Sequence, residues 1–223
     1  MMKRLLLLSV ALWSALPAVQ AQSLADAQRR AAERIDRFSA KLKKIRIPRI
    51  DFEYTIESRQ DDLKETMTGT LYLKLKQKKM RVEMPDQLIV ADGRHVWVIQ
   101  KELKEITKDA YSPEINQMNP LNLLNEYREK FLYAFMGRQE GPDGKTWDLV
   151  ELTPNDKSAD FFKIKLFFSQ KNGMLRFFQI FDKAGVIYTF EIQSLQNAHN
   201  ATNQLFSVDL NKYSGYSVTD LTK

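Results

Sequence analysis

Residue types that carry chemistry are sparse in this 223-residue chain. It has no cysteine, which removes disulfides, all-cysteine zinc sites and thiol nucleophiles together. There are two histidines. His95 follows the turn signal Asp92-Gly93, and His199 lies in the polar run His199-Asn200-Ala201-Thr202. Neither has a second ligand at metal-binding spacing. No Gly-x-Ser-x-Gly elbow occurs. No glycine-rich phosphate loop occurs either, and the whole chain has only 8 glycines. Asp61, Asp62, Asp156 and Asp160 fall in turns, where Asp is favoured for its hydrogen bonds to nearby backbone. A carboxylate pair of the glycosidase kind meets only in space, so spacing leaves it open, and nothing in the sequence points to one. The basic residues do not interleave with aromatics as a nucleic-acid surface requires. These residues point away from an enzyme, a metal, a cofactor and a nucleic-acid partner, and leave apolar surface as the main signal to read.

The elements that present that surface follow from hydrophobic period. Leu24, Ala31, Phe38 and Ile45 recur at seven, with Ile35 and Leu42 between them, which predicts a helix over about Ser23 to Ile45 with Ser23 as its cap. Pro48 ends it. Alternation then predicts strands. Phe52, Tyr54 and Ile56 share a face; so do Leu71, Leu73 and Leu75, and then Met80, Val82 and Met84. Leu88-Ile89-Val90 and Val96 to Ile99 flank Asp92-Gly93, a hairpin signal. Asn119 and Pro120 suit a helix start, and Leu121, Leu124, Phe131, Leu132 and Phe135 extend a helix to about Phe135. Strands resume at Trp147–Leu152. Phe162, Ile164, Leu166 and Phe168 follow on one face. After the Asn172-Gly173 turn come Met174–Phe181 and Val186–Ile192, and Phe206 and Val208 begin a last short strand. The fold class is α+β, an antiparallel meander with two helices on one face. Seven phenylalanines lie between Phe161 and Phe181, and parts of several strands are apolar on both sides. That pattern fits a thick core or a curved sheet around a cavity.

The N-terminus reads as a secretory signal. Lys3 and Arg4 precede an apolar stretch from Leu5 to Leu16, and Val19-Gln20-Ala21 places cleavage after Ala21. The apolar stretch is shorter than the roughly 20 residues a spanning helix needs. Residues 22–223 are then one domain of about 200 residues, soluble in the periplasm. Loss of Lys3 and Arg4 lowers the formal charge by two, from +6 to +4. One basic run remains, Lys41, Lys43, Lys44, Arg46 and Arg49. It reads as a helix end meeting the C-terminal dipole, or as a site for an acidic partner or anionic lipid headgroups.

Four segments in order resemble the LolA-type outer-membrane lipoprotein carrier family. They are Gly69-Thr70-Leu71-Tyr72-Leu73-Lys74 followed by Met80-Arg81-Val82-Glu83-Met84; Gln87 through Trp97 around Asp92-Gly93; Asn119-Pro120-Leu121-Asn122-Leu123-Leu124; and Leu152-Thr153-Pro154-Asn155. A weaker echo runs from Phe206 to Asp220. The resemblance implies a half-open antiparallel β-barrel whose concave apolar face is covered by helices. It implies a monomeric periplasmic carrier of acylated lipoproteins, with an inner-membrane ABC transporter as donor and an outer-membrane acceptor. The expected wall is Leu71, Leu73, Val82, Met84 and Ile89 with Phe162, Ile164, Leu166 and Phe168. The expected cover is Ile35, Phe38, Leu121 and Leu124. An alternative on the same fold is a regulatory or envelope-assembly protein that binds lipid or a protein partner without shuttling. In many members the strand continues after Leu-Lys with Arg-Pro, and that Arg holds the lid. Here Leu75 and Lys76 stand at those positions, the expected mouth of the groove, so the latch is absent or built differently.

Overall fold

The computed structural model describes residues 16–58, 60–111 and 123–222, with side chains from residue 23 onward. Helix α1 spans Leu16–Lys44. It begins earlier than its heptad pattern predicts, so Ser23 lies inside it and does not cap it. Nothing in residues 16–22 breaks a helix, because Pro17 falls in the first turn, where its missing N–H has no partner to lose. The strands are β1 (Pro48–Ser58), β2 (Leu63–Lys74), β3 (Lys79–Glu83), β4 (Gln87–Ala91), β5 (His95–Gln100) and β6 (Glu105–Ala110). Helix α2 (Leu123–Lys130) follows, then β7 (Phe131–Glu140), β8 (Thr146–Pro154), β9 (Phe161–Phe168), β10 (Leu175–Asp182), β11 (Val186–Asn197) and β12 (Ser217–Asp220).

All twelve strands form one open, curved sheet in the order β12-β6-β5-β4-β3-β2-β1-β11-β10-β9-β8-β7. Two antiparallel meanders, β1–β6 and β7–β11, are joined by the long β1–β11 pairing. Among the described strands only β12 runs parallel to its neighbour, β6.

Three sequence-based expectations change. The helix predicted to reach Phe135 stops at Lys130, and Phe131 opens β7. Phe131, Tyr133 and Phe135 alternate inward and pair with Pro154, Leu152 and Val150, so the strand period wins over the helical one that Phe131, Leu132 and Phe135 also satisfy. Asn119, Pro120 and Leu121 lie outside the described residues. The last strand is Ser217–Asp220, while Phe206 ends a one-turn 3-10 helix, Asn203–Phe206. Finally, Leu24 is exposed, so the buried stripe of α1 runs through Ala31, Ile35, Phe38 and Leu42.

The apolar excess divides among three clusters. The largest lies between the concave face and the helices. On the outer face, Leu88, Val90, Ile99 and Ile106 are covered by Val208, Tyr213 and Tyr216 from the C-terminal segment. Leu149, Phe167 and Phe177 pack with Trp147 on the outer side of β8–β10. This segregation explains why these strands lack clean alternation: each face has its own cover.

Candidate functional site

The concave wall is built by register. Ile50, Leu71, Val82, Ile89 and Val98 stand directly opposite one another across β1 to β5, one row over five strands. A parallel row joins Leu73, Met80, Ala91 and Val96. Across the other meander Val150, Leu166, Phe178, Phe190 and Tyr54 form a third row. Each row is a consequence of period-2 alternation in antiparallel strands of fixed register.

Burial changes along the strands. Leu73, Ala91 and Val96 are 1%, 0% and 4% exposed. One step towards the other end, Val82, Ile89 and Val98 are half-buried, as are Met84 and Tyr54. The wall is therefore sealed near the β2–β3 and β4–β5 turns and opens towards the β1–β2 and β3–β4 turns. A cleft of about 300 Å³ near that end is lined by Phe52, Gly69 and Met84 together with Asp51, Thr70 and Glu83, whose cross-strand row faces away from the wall. The ring of Phe52 rests on Gly69, its cross-strand partner; a Cβ there would come within 2.6 Å of the ring and 2.8 Å of the Glu83 carbonyl oxygen. Burial disfavours the charge on Asp51. Hydrogen bonds from Ser194 and Thr70, and the Arg49 guanidinium, outweigh it and hold the carboxyl below its ordinary range.

α1 covers the β7–β10 side. Phe38 meets Phe168 edge-on at 6.4 Å. Arg34 binds Asp148 of β8, and Arg30 and Arg34 both lie over the Phe135 ring of β7. Lys41 donates to the Asn172 carbonyl in the β9–β10 turn. α2 packs beside α1: Leu124 and Tyr127 are buried, Tyr127 Oη donates to Asp36 at 3.0 Å, and Arg128 pairs with the same carboxylate. Burial and the hydrogen bond to Asp36 push the Tyr127 phenol well above its ordinary range.

Of the expected wall and cover, Ile35, Phe38, Leu71, Leu73, Leu124, Ile164, Leu166 and Phe168 are buried in one cluster. Val82, Met84 and Ile89 pack half-buried against it. Phe162 does not join them. β9 carries an extra residue opposite β10, since Phe181 pairs with Lys163 and Asp182 with Phe161. That bulge turns Phe162 outward, 48% exposed against Phe181, and brings Phe161 in against Phe131. Leu75 is half-buried and turned into the cluster, and Lys76 is exposed. Both stand at the sealed end, away from the opening, because β2 and β3 close their turn there. Sequence reasoning missed Tyr54, Val98, Phe161 and Phe190. For Tyr54 and Val98 alternation carried the signal; for Phe161 nothing local marked the bulge. Among the described residues, no group of three His, Asp or Glu could hold a metal ion. No described helix is long and apolar enough to cross a membrane.

An open sheet with a helix-covered apolar concavity has relatives. The family described as outer membrane lipoprotein carrier protein LolA matches residues 43–209. This chain belongs to the LolA family. It is 26% identical over 166 residues to an outer-membrane lipoprotein carrier protein of Nitrosospira multiformis, covering 72% of this chain and 77% of that one. To the protein of the same description from Dechloromonas aromatica it is 29% identical over 157 residues, 68% and 71% of the two chains. An uncharacterized conserved protein from Thermus thermophilus shares the fold, with a TM-score of 0.51 and 14% identity over 84% of this chain and 97% of that one. The LolA match takes in β1 to β11, whereas α1 up to Leu42, with Arg34, and β12 lie outside it.

Proposed function

We propose that this chain is a periplasmic carrier that shelters the acyl chains of lipoproteins on its concave wall, receiving them from an inner-membrane ABC transporter and passing them to an outer-membrane acceptor. The activity is carriage and not catalysis. One observation carries the reading: the row Ile50-Leu71-Val82-Ile89-Val98 is continuous, apolar and only half-buried over its last three members. At about 4.8 Å per strand it extends for about 19 Å, the scale of a long acyl chain. Each CH₂ kept from water contributes about 0.8 kcal/mol, so an acylated protein needs such a wall to cross an aqueous space. The thioether of Met84 adapts to chains of varied shape.

Val82→Glu tests it. On a wall that faces mobile ligand the carboxylate reaches water, so the protein folds cooperatively and loses affinity for a fluorescent apolar probe by about tenfold or more. In a closed core the same change buries an unpaired charge at a cost of several kcal/mol, a large share of a domain's stability. A folded variant that binds the probe as the parent does overturns the assignment of this wall.

A further inference from the structure

The basic run at the end of α1 is part of a larger feature. Lys43, Lys44 and Arg46 are exposed. The register Arg49–Tyr72 sets the connection that follows them beside Lys74, and Lys74 lies directly opposite Lys79. Lys76 and Lys78 project from the turn between these two strands. The β4–β5 turn closes against it: a Cβ on Gly93 would sit 2.7 Å from the Gln77 carbonyl oxygen, and Arg94 follows. Three separate connections thus bring their cations to one end of the sheet, its sealed end.

Ordinary structural roles do not account for this rim. The helix dipole explains basic residues in the last turn of α1 and nothing in the two hairpin turns. Like charges directly opposite on paired strands, as at Lys74 and Lys79, destabilise a sheet. Arg49 of the basic run pairs with Asp51 and stands apart from the rim; among the described residues none of the other cations just named has a carboxylate partner. Arg46 donates to the His199 carbonyl at 2.6 Å and Lys74 to the Asn203 side chain at 2.6 Å, both neutral acceptors. The one carboxylate within these turns, Asp92, is occupied by the backbone N–H groups of Arg94 and His95.

We propose that this rim docks the protein on a membrane surface bearing anionic phospholipid headgroups. The residue types select that partner over an acidic protein. A protein interface has an apolar or aromatic centre and is depleted in lysine. Here lysine dominates, while the apolar residues among the cations, Ile47 and Leu75, turn inward. Mobile ammonium groups on several turn tips suit a plane of phosphates, where each cation near an anionic leaflet strengthens binding severalfold. Docking by this end leaves the half-buried wall free. The charges stand independently of the carrier reading.

The test is co-sedimentation of the mature chain with vesicles of phosphatidylcholine, with and without phosphatidylglycerol. We expect a preference for the anionic vesicles of about tenfold or more at low salt, lost at about 0.5 M salt, where screening acts within a few ångströms. The exposed-site triple variant Lys76→Gln/Lys78→Gln/Arg94→Gln should lose most of that preference with an unchanged melting curve. A control at the opposite end, Lys64→Gln/Lys157→Gln/Lys183→Gln, should keep it. No anionic preference in the parent protein, or an equal loss in the control, overturns the proposal and turns attention to an acidic protein partner. Apolar-probe binding is measured alongside. A parent that binds anionic vesicles and no probe would sink the carrier reading and leave the rim standing.

Discussion

Arg34 of α1 donates from Nε at 2.9 Å and from Nη2 at 2.7 Å to a single oxygen of Asp148 on β8. The pair is mostly shielded, with 22% and 13% of the two side chains exposed. The guanidinium also stacks 3.8 Å above the Phe135 ring and returns a hydrogen bond to the Arg30 carbonyl. Helix α1, the edge strand β7 and its neighbour β8 are tied at one point. Arg34 thereby holds α1 against β7 and β8.

Loss of that contact should free α1 before it unfolds the sheet. Arg34→Met keeps the apolar stem and strands Asp148, at an expected cost of about 1–3 kcal/mol. Native-state hydrogen exchange should show α1 amides opening at least about tenfold faster, with β1–β5 unchanged. Arg34→Lys should recover little, because an ammonium neither stacks on Phe135 nor offers two directed donors. Uniform loss of protection across helix and sheet would show that α1 is a fixed part of the core.

Phe161 and Phe162 should behave oppositely despite being neighbours. Phe161→Ala removes an inward ring packed on Phe131 and should lower stability by about 2 kcal/mol. Phe162→Ser removes an exposed ring and should stay within about 1 kcal/mol of the parent, with probe affinity unchanged. Denaturant unfolding and probe titration of the two variants check this; a larger effect at Phe162 would contradict the bulge.

Gly69→Ala should destabilise by about 1–3 kcal/mol through overpacking. The new methyl meets both the Phe52 ring and the backbone oxygen of Glu83. Adding Phe52→Leu relieves only the first contact, so thermal melts should show partial rescue. Complete rescue would mean that β3 moves aside freely.

Tyr54 reports on the wall by titration. Burial, reinforced by the Tyr188 phenolate, raises its phenol to about 12 from an ordinary 10.0. A folded pKa above the unfolded one means that this contribution to stability is complete below about pH 10 and is lost as pH rises through about 12. Ultraviolet titration of the parent should show a late-ionising tyrosine that is missing in Tyr54→Phe, and Tyr54→Phe should flatten the alkaline fall in stability. A bound apolar probe should delay that ionisation further if it sits over Tyr54.

Much of the wall was legible in the residues themselves. Alternation through Leu71, Leu73, Met80, Val82 and Met84, with Asp92-Gly93 as the hairpin pivot, determined strands β2 to β5, and alternation is local. The order of short segments along the chain determined the family, and the absence of cysteine and of paired histidines limited the chemistry. Other features depended on partners far along the sequence. Arg34 and Asp148 are 114 residues apart, and nothing near either one marks the other. The end of α2 at Lys130 was decided by β8, whose free edge offers Phe131 a ladder that an isolated helix would not meet. The bulge that exchanges Phe161 for Phe162 exists only in the pairing of β9 with β10. Whether an apolar face became wall or packing was decided by its cover. The C-terminal segment seals Leu88 and Val90 from outside, while α1 leans towards β7–β10 and leaves Val82, Met84 and Ile89 half-open. Local period sets which side chains share a face; what lies over that face is set by contacts between residues that only the folded chain brings together.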